Sequence, residues 1–355
     1  MKKALTILFA CIITNFTIAQ TTAIPNPNFE QALINLGLDI TLDGTALTTN
    51  IDSLTTLNVS GKFISDLTGI EDFTALTFLN CSQNSLTNLD VSQNIALSYL
   101  NCSLNQLTSL DLSLNIALDK LLCTQNQLTN LNVSQNTALT HLSCSSNQLT
   151  NLNVSQNTAL TLLSCYLNQL INLDLNQNTA LDLLGCANNQ LTRLELSHNT
   201  VLRYLYSEHN QLNCLNLKNG NNSNMAPINA TYNPNLMCIT VDDATYSNTN
   251  WTNIDAQTSF STSCTNLCAV NIEENSLSKI SIYPNPTTRS INIDLEETKS
   301  NINLLLTNAI GQVQLTKTYK STNHIIFDLD EPKGIYFLQL KTANGEFITR
   351  KIIKE

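Results

Sequence analysis

The apolar positions of this chain recur at a fixed stride. Leu86, Leu107, Leu128, Leu149, Leu170, Leu191 and Leu212 follow one another at one constant interval, without exception. Each unit reads L-x-x-L-x-(V/L)-x-x-N and then L-x-x-L-x-C-x-x-N, so it is a pair of near-equal halves. The L-x-L and L-x-C triplets alternate with period 2, the mark of a strand, and no segment sustains a period of 3.6. The pattern predicts coils with two short extended segments each and no helix. A coil as short as the step from Leu86 to Leu107 cannot bury its own leucines, so successive coils must stack and share one interior.

The polar letters repeat as strictly. One asparagine column runs Asn84, Asn105, Asn126, Asn147, Asn168, Asn189 and Asn210; another runs Asn94, Asn115, Asn136, Asn157, Asn178 and Asn199. An inward carboxamide at a turn is expected to bond backbone groups of its own and the adjacent coil. Cys81, Cys102, Cys123, Cys144, Cys165 and Cys186 fill one slot in successive coils, and Ser207 fills it in the next. Cysteine packs as a small hydrophobe. In a parallel stack the Cβ vectors of this column point the same way, which disfavours disulfides within it. A reduced packing ladder is therefore expected. The column lacks the clustered ligands of a metal site.

Over residues 65–221 this pattern resembles the leucine-rich repeat, in its short nested bacterial form. "LTGIEDFTALTFLNCSQN" (67–84) is similar to the first coil of internalin-like proteins. "IPNPNFEQALINLGL" (24–38), within residues 20–64, resembles their N-terminal cap, with Phe29, Leu33, Ile34 and Leu36 expected on one helical face over the first coil. Residues 222–268, with two short strands and Trp251, resemble the C-terminal caps of secreted leucine-rich proteins from Bacteroidetes-type bacteria. In an oxidising compartment, Cys238 and Cys264 are expected to be bridged, and Cys214 with Cys268 is a second candidate pair. The resemblance implies a curved solenoid that binds a macromolecule.

The two ends suggest export. "MKKALTILFACIITNFTIA" (1–19) has a basic start, an apolar stretch and small closing residues, as a secretory signal does. A lipoprotein box at Cys11 is the alternative, with Phe9 bulky for it. No other stretch is long and apolar enough to be a membrane span. Residues 269–279 read as a linker. Residues 280–355 alternate as short antiparallel strands, with Gly311 and Gly345 at hairpin positions, and imply a small β-sandwich. "YPNP" (283–286), "NAIGQ" (308–312), "KGIYFLQL" (333–340) and the basic "RKIIKE" (350–355) resemble the C-terminal sorting domain of type IX secretion substrates. That resemblance implies passage through the type IX machinery to the surface or the medium. The expected fold class is thus mainly β, a solenoid followed by an antiparallel β unit.

With 17 basic and 27 acidic residues the net charge is −10, which argues against a nucleic-acid partner. His141, His198, His209 and His324 form no catalytic constellation, so no enzyme and no cofactor is expected. The column Asp90, Asp111, Asn132, Asn153, Asp174, Glu195 is interrupted by neutral residues, which weakens it as a calcium rank. Function should lie in outward positions that vary between coils. These give a candidate ligand-binding face of Phe78, Tyr99, Lys120, His141, Leu162, Tyr166, Tyr204 and Tyr206, facing an unidentified protein or glycan. An envelope scaffold without a specific ligand is the alternative. Ice binding by the column Thr87, Thr108, Thr129, Thr150, Thr192 is a third reading, weakened by Ile171.

Overall fold

The computed structural model describes residues 20–264, 280–309, 311–342 and 347–355. The expectations for the signal (1–19), for Cys268 and for Gly345 fall outside the described residues. The chain divides into two compact units, Met1–Cys268 and Ala269–Glu355.

The first unit opens with β1 (Thr21–Ala23), α1 (Pro27–Asn35), β2 (Thr45–Leu47) and α2 (Thr48–Ile51). Helix α1 starts where a helix should. Asn26 accepts from the amides of Asn28 and Phe29, and Pro27 sits in the first turn, where no amide is missed. Phe29, Ala32 and Leu33 bury its inner face, and the Phe29 ring packs 6.1 Å from Phe73 in the first coil. Ile34 is half-buried, and Leu36 lies beyond the helix and is exposed. The helix ends before Leu36 can join the face expected of it, and Ala32 takes its place. Gly69, at φ +103°, lies so close to β1 that a Cβ would fall 2.5 Å from the Ala23 carbonyl oxygen.

Eight parallel strands follow at one per coil: β3 (Thr56–Asn58), β4 (Phe78–Asn80), β5 (Tyr99–Asn101), β6 (Lys120–Leu122), β7 (His141–Ser143), β8 (Leu162–Ser164) and β9 (Leu183–Gly185), then β11 (Tyr204–Tyr206). All pair in register, so leucine lies over leucine along the stack. The leucines and the six ladder cysteines belong to one continuous core. The six thiols are free and buried, as the repeat led us to expect.

The other half of the coil behaves differently from expectation. Its L-x-(V/L) triplets form paired strands only late, as β10 (Arg193–Glu195) and β12 (Cys214–Asn216). There Asn216 Nδ2 donates to both carboxylate oxygens of Glu195, at 2.9 and 3.0 Å, which ties the two coils. Earlier in this column the triplets around Asp90, Asp111, Asn132 and Asn153 form no paired strand, whether the outward residue is charged or neutral. The Asp90 and Asp111 carboxylates accept amides within their own coil, from Ser92 and Ser113, which holds both below the usual carboxylate range.

Parallel strands β13 (Cys238–Thr240) and β14 (Ser259–Ser261) continue the sheet of β10 and β12 and close the unit. Between them lies α3 (Ala244–Asn250), which the sequence pattern missed; Asp243 caps it by accepting from the amides of Thr245 and Tyr246. Trp251 is buried edge-on between Tyr246 and Phe260. Cys238 and Cys264 are joined by the expected disulfide, with Cα atoms 5.9 Å apart. Cys214 is also disulfide-bonded.

In the second unit the strands β15 (Ser281–Tyr283), β16 (Ser290–Asn308), β17 (Val313–Asp328), β18 (Gly334–Lys341) and β19 (Phe347–Lys354) pair antiparallel. Strands β16 and β17 are longer than the alternation suggested. Strand β16 pairs with β15 along its first part and with β18 along its last, and its register against β17 shifts between Asp294 and Lys299. Such a shift lets a long strand bend and change partners. The unit thereby curls around one core that includes Ile293, Leu304, Phe327, Leu338 and Ile352. The β16–β17 hairpin turns at Gly311, whose φ of +82° suits glycine.

Candidate binding face

Outward side chains of the eight-stranded sheet form straight columns because the register never slips. Phe78, Tyr99, Lys120, His141, Leu162, Leu183 and Tyr204 are consecutive partners, and so are Asn80, Asn101, Leu122, Ser143, Ser164, Gly185 and Tyr206. Tyr166 lies just beyond β8, on the turn that leaves the sheet. The candidate residues thus share one surface of one unit.

The rings are unevenly distributed on it. Phe78 and Tyr99 stack nearly parallel at 4.3 Å. At the other end Tyr204 and Tyr206 are 37% and 45% exposed, and the Arg203 guanidinium lies 5.5 Å from the Tyr204 ring centre. Arg203 is itself fixed by Asp182 through two bonds of 2.5 and 2.7 Å, and this pairing holds the Asp182 carboxyl below its usual range. Next to them His209 and Tyr232 stack at 4.1 Å, with Tyr232 64% exposed.

Sequence reasoning missed Tyr232. The asparagine column continues from Asn210 to Asn233, a longer step than the one from Asn189 to Asn210, so the stride loses it. Asn233 nevertheless makes the bonds of the column: it donates to the carbonyls of Ser207 and Ala230 and accepts from Leu212. The residue before each of these asparagines has a positive φ, from Gln83 through His209 to Tyr232. That shared left-handed bend aims His209 and Tyr232 outward in adjacent coils.

Between the aromatic clusters the face mixes hydroxyls with Leu122, Leu162, Leu183 and the Tyr166 ring. Thr124 and Ser143 share a hydroxyl bond of 2.9 Å, as do Ser145 and Ser164. Thr140 Oγ1 bonds His141 Nδ1 at 2.8 Å. The outward columns and the residues just before the strands hold only Asp119, Lys120, Asp182, Arg203 and Glu208 as charged groups, three acids and two bases.

A hollow of about 530 Å³ near the first coils is lined by Asp66, Glu71 and Asp90 among others. Those carboxylates are taken up by local amides of Thr68, Gly69 and Ser92. Among the described residues no three His, Cys, Asp or Glu side chains are grouped to hold a metal ion. No helix among them is long and apolar enough to cross a membrane.

Residues 281–355 match the family described as the secretion system C-terminal sorting domain. This tail marks the chain for export by the type IX route to the cell surface or beyond. Among solved structures, the functional domain of InlJ from Listeria monocytogenes, described as including a cysteine ladder, is 21% identical; the match covers 95% of this chain and 99% of that one, at a TM-score of 0.36. Internalin C2 from Listeria monocytogenes is 21% identical over 63% of this chain and 98% of its own, at 0.49. A leucine-rich repeat protein of Leptospira interrogans is 19% identical over 54% and 50%, at 0.40. No curated protein matches the chain. The leucine-rich solenoid itself is read from the strand register above.

Proposed function

We propose that the solenoid unit of this exported chain is a non-enzymatic recognition module. It binds a protein or glycan at the cell surface, or on another cell, through the face of Phe78, Tyr99, Lys120, His141, Leu162, Tyr166, Tyr204 and Tyr206. One observation carries the reading. In a stack whose inward letters hardly change, the outward column runs from Phe78 through Lys120 and His141 to Tyr204, and leaves aromatic rings half in water. In the same reading residues 1–19 direct export, 20–64 and 222–268 cap the ends of 65–221, and 269–279 link it to the sorting tail.

The test is adsorption of the full chain to intact bacterial cells and to an array of glycans. Replacing Tyr99, His141 and Tyr204 together by serine should weaken binding at least about tenfold, as loss of interface anchors does, with circular dichroism unchanged. Undiminished binding by that variant rules the face out.

A further inference from the structure

We infer that the ligand of this face is an extended chain of a neutral polysaccharide, laid across the strands and held at two aromatic stations. The inference rests on the binding role proposed above and names its chemistry.

The first station is the Phe78–Tyr99 stack on β4 and β5. The second gathers Tyr204 and Tyr206 on β11 with the His209–Tyr232 stack beside them. The strands between, β6 to β9, carry no Phe, Tyr or Trp. From β5 to β11 the sheet takes five steps. At ~4.8 Å each the stations are roughly 24 Å apart.

Three features select the ligand. The exposed rings of Tyr204, Tyr206 and Tyr232 offer negative π faces to weakly positive C–H groups, with the Phe78–Tyr99 stack half-buried, and the apolar face of a pyranose ring presents a layer of such groups. Between the stations lie neutral donors and acceptors, the half-buried hydroxyls of Thr124, Ser143 and Ser164, which suit sugar hydroxyls. Charge is close to balanced on the face, with Arg203 committed to Asp182, so a polyanion or polycation finds no complementary field. The two stations lie apart on the face, with half-buried hydroxyls, the Leu122, Leu162 and Leu183 side chains and the Tyr166 ring between them. A single sugar reaches one station only; a polymer reaches both and gains from the linkage.

The test measures binding of the full chain to soluble neutral polymers (a β-1,3-glucan, a β-1,4-glucan and an α-1,6-glucan) and to the matching disaccharides. We expect one polymer to bind about 100-fold more tightly than its disaccharide, as linked sites allow. Tyr99→Ala and Tyr204→Ala should each weaken polymer binding about tenfold or more, while Tyr99→Phe and Tyr204→Phe, which keep the rings, retain most of it. Circular dichroism and unreactive ladder thiols report that each variant is folded. Equal affinity for polymer and disaccharide, or no binding to any of the three polymers, overturns the inference. Cell binding that is abolished by protease treatment of the cells, with no polymer bound, also overturns it and leaves the recognition role standing. Undiminished cell binding by the triple serine variant removes that role itself.

Discussion

The two asparagine columns run side by side through one interior and carry the same letter, but they are held differently. Asn147 represents the first. Its Nδ2 donates to the carbonyls of Cys123 and Cys144 at 3.0 Å and Ser145 at 3.2 Å, and its Oδ1 accepts the Leu128 amide at 3.0 Å. Asn136 represents the second. Its Nδ2 donates to Leu112 and Asn115, while its buried Oδ1 has no partner. The same orphan recurs at Asn94, Asn115, Asn157, Asn178 and Asn199. Local backbone bonding explains the difference. Beside the second column the turn uses its amides internally, with Asn136 bonded to Val133 and Leu139 to Asn136, so none faces the side-chain oxygen. Asparagine serves there for its donors. In the first column both ends of the amide join one coil to another.

Breaking this comparison directly should give the largest effect. Asn147→Ala strands two or three carbonyls and an amide in the core, and we expect a loss of about 3–5 kcal/mol. Asn136→Ala strands two carbonyls but also removes an orphan oxygen, and about 1–3 kcal/mol should be lost. Urea unfolding midpoints of the two variants, compared at equal slope, provide the measurement. Equal losses would mean that the two columns do the same work.

The thiols that neighbour the first column sharpen the point, since Asn147 is anchored on the carbonyls of Cys123 and Cys144. Burial pushes the Cys102 and Cys144 thiols up to about 12; Cys186 reaches about 12 through burial and the nearby Glu208 carboxylate. An unfolded thiol titrates near ~8.5. Below that pH both states keep their protons and this source of stability is fully present. As the pH rises toward 12 the unfolded chain releases protons that the native state still holds, so stability falls. Alkaline unfolding curves should show this decline. A thiol reagent should find the six ladder cysteines only after unfolding.

The smallest effect concerns the turn itself. Leu167, at φ +54° and 49% exposed, precedes Asn168 of the first column. Asparagine enters the left-handed region more readily than leucine, so Leu167→Asn should stabilise by roughly 1 kcal/mol or less. Gln156 precedes Asn157 of the second column without a positive φ, and Gln156→Asn should bring no gain. Thermal midpoints of the two variants distinguish the turns.

Much of this architecture is legible in the letters, because stacking imposes identical environments on residues one stride apart. The leucines, the cysteine slot, both asparagine columns and the in-register outward columns follow from the stride. Periodicity says which way a side chain points, but not how closely two coils approach. For that reason the half-coil around Asp90 and Asp111 reads as an extended segment in the sequence, and the structure forms no paired strand there. Helix α3 and the end of α1 escape such a reading because a cap has no second copy to compare. The His209–Tyr232 stack is hidden by the longer step before Asn233, although the asparagine itself keeps its role.

The side-chain hydrogen bonds of the first asparagine column, from Asn105 to Asn210, stay in their own coil or reach the adjoining one, and never the one after. Every junction in that stretch is therefore interchangeable with every other. A coil gained or lost whole would meet neighbours like those it left, and the stack would close without new chemistry. The number of coils, and with it the distance between the two aromatic ends, can change by duplication or excision alone. Reach is then an inheritable variable, set separately from the side chains that grip.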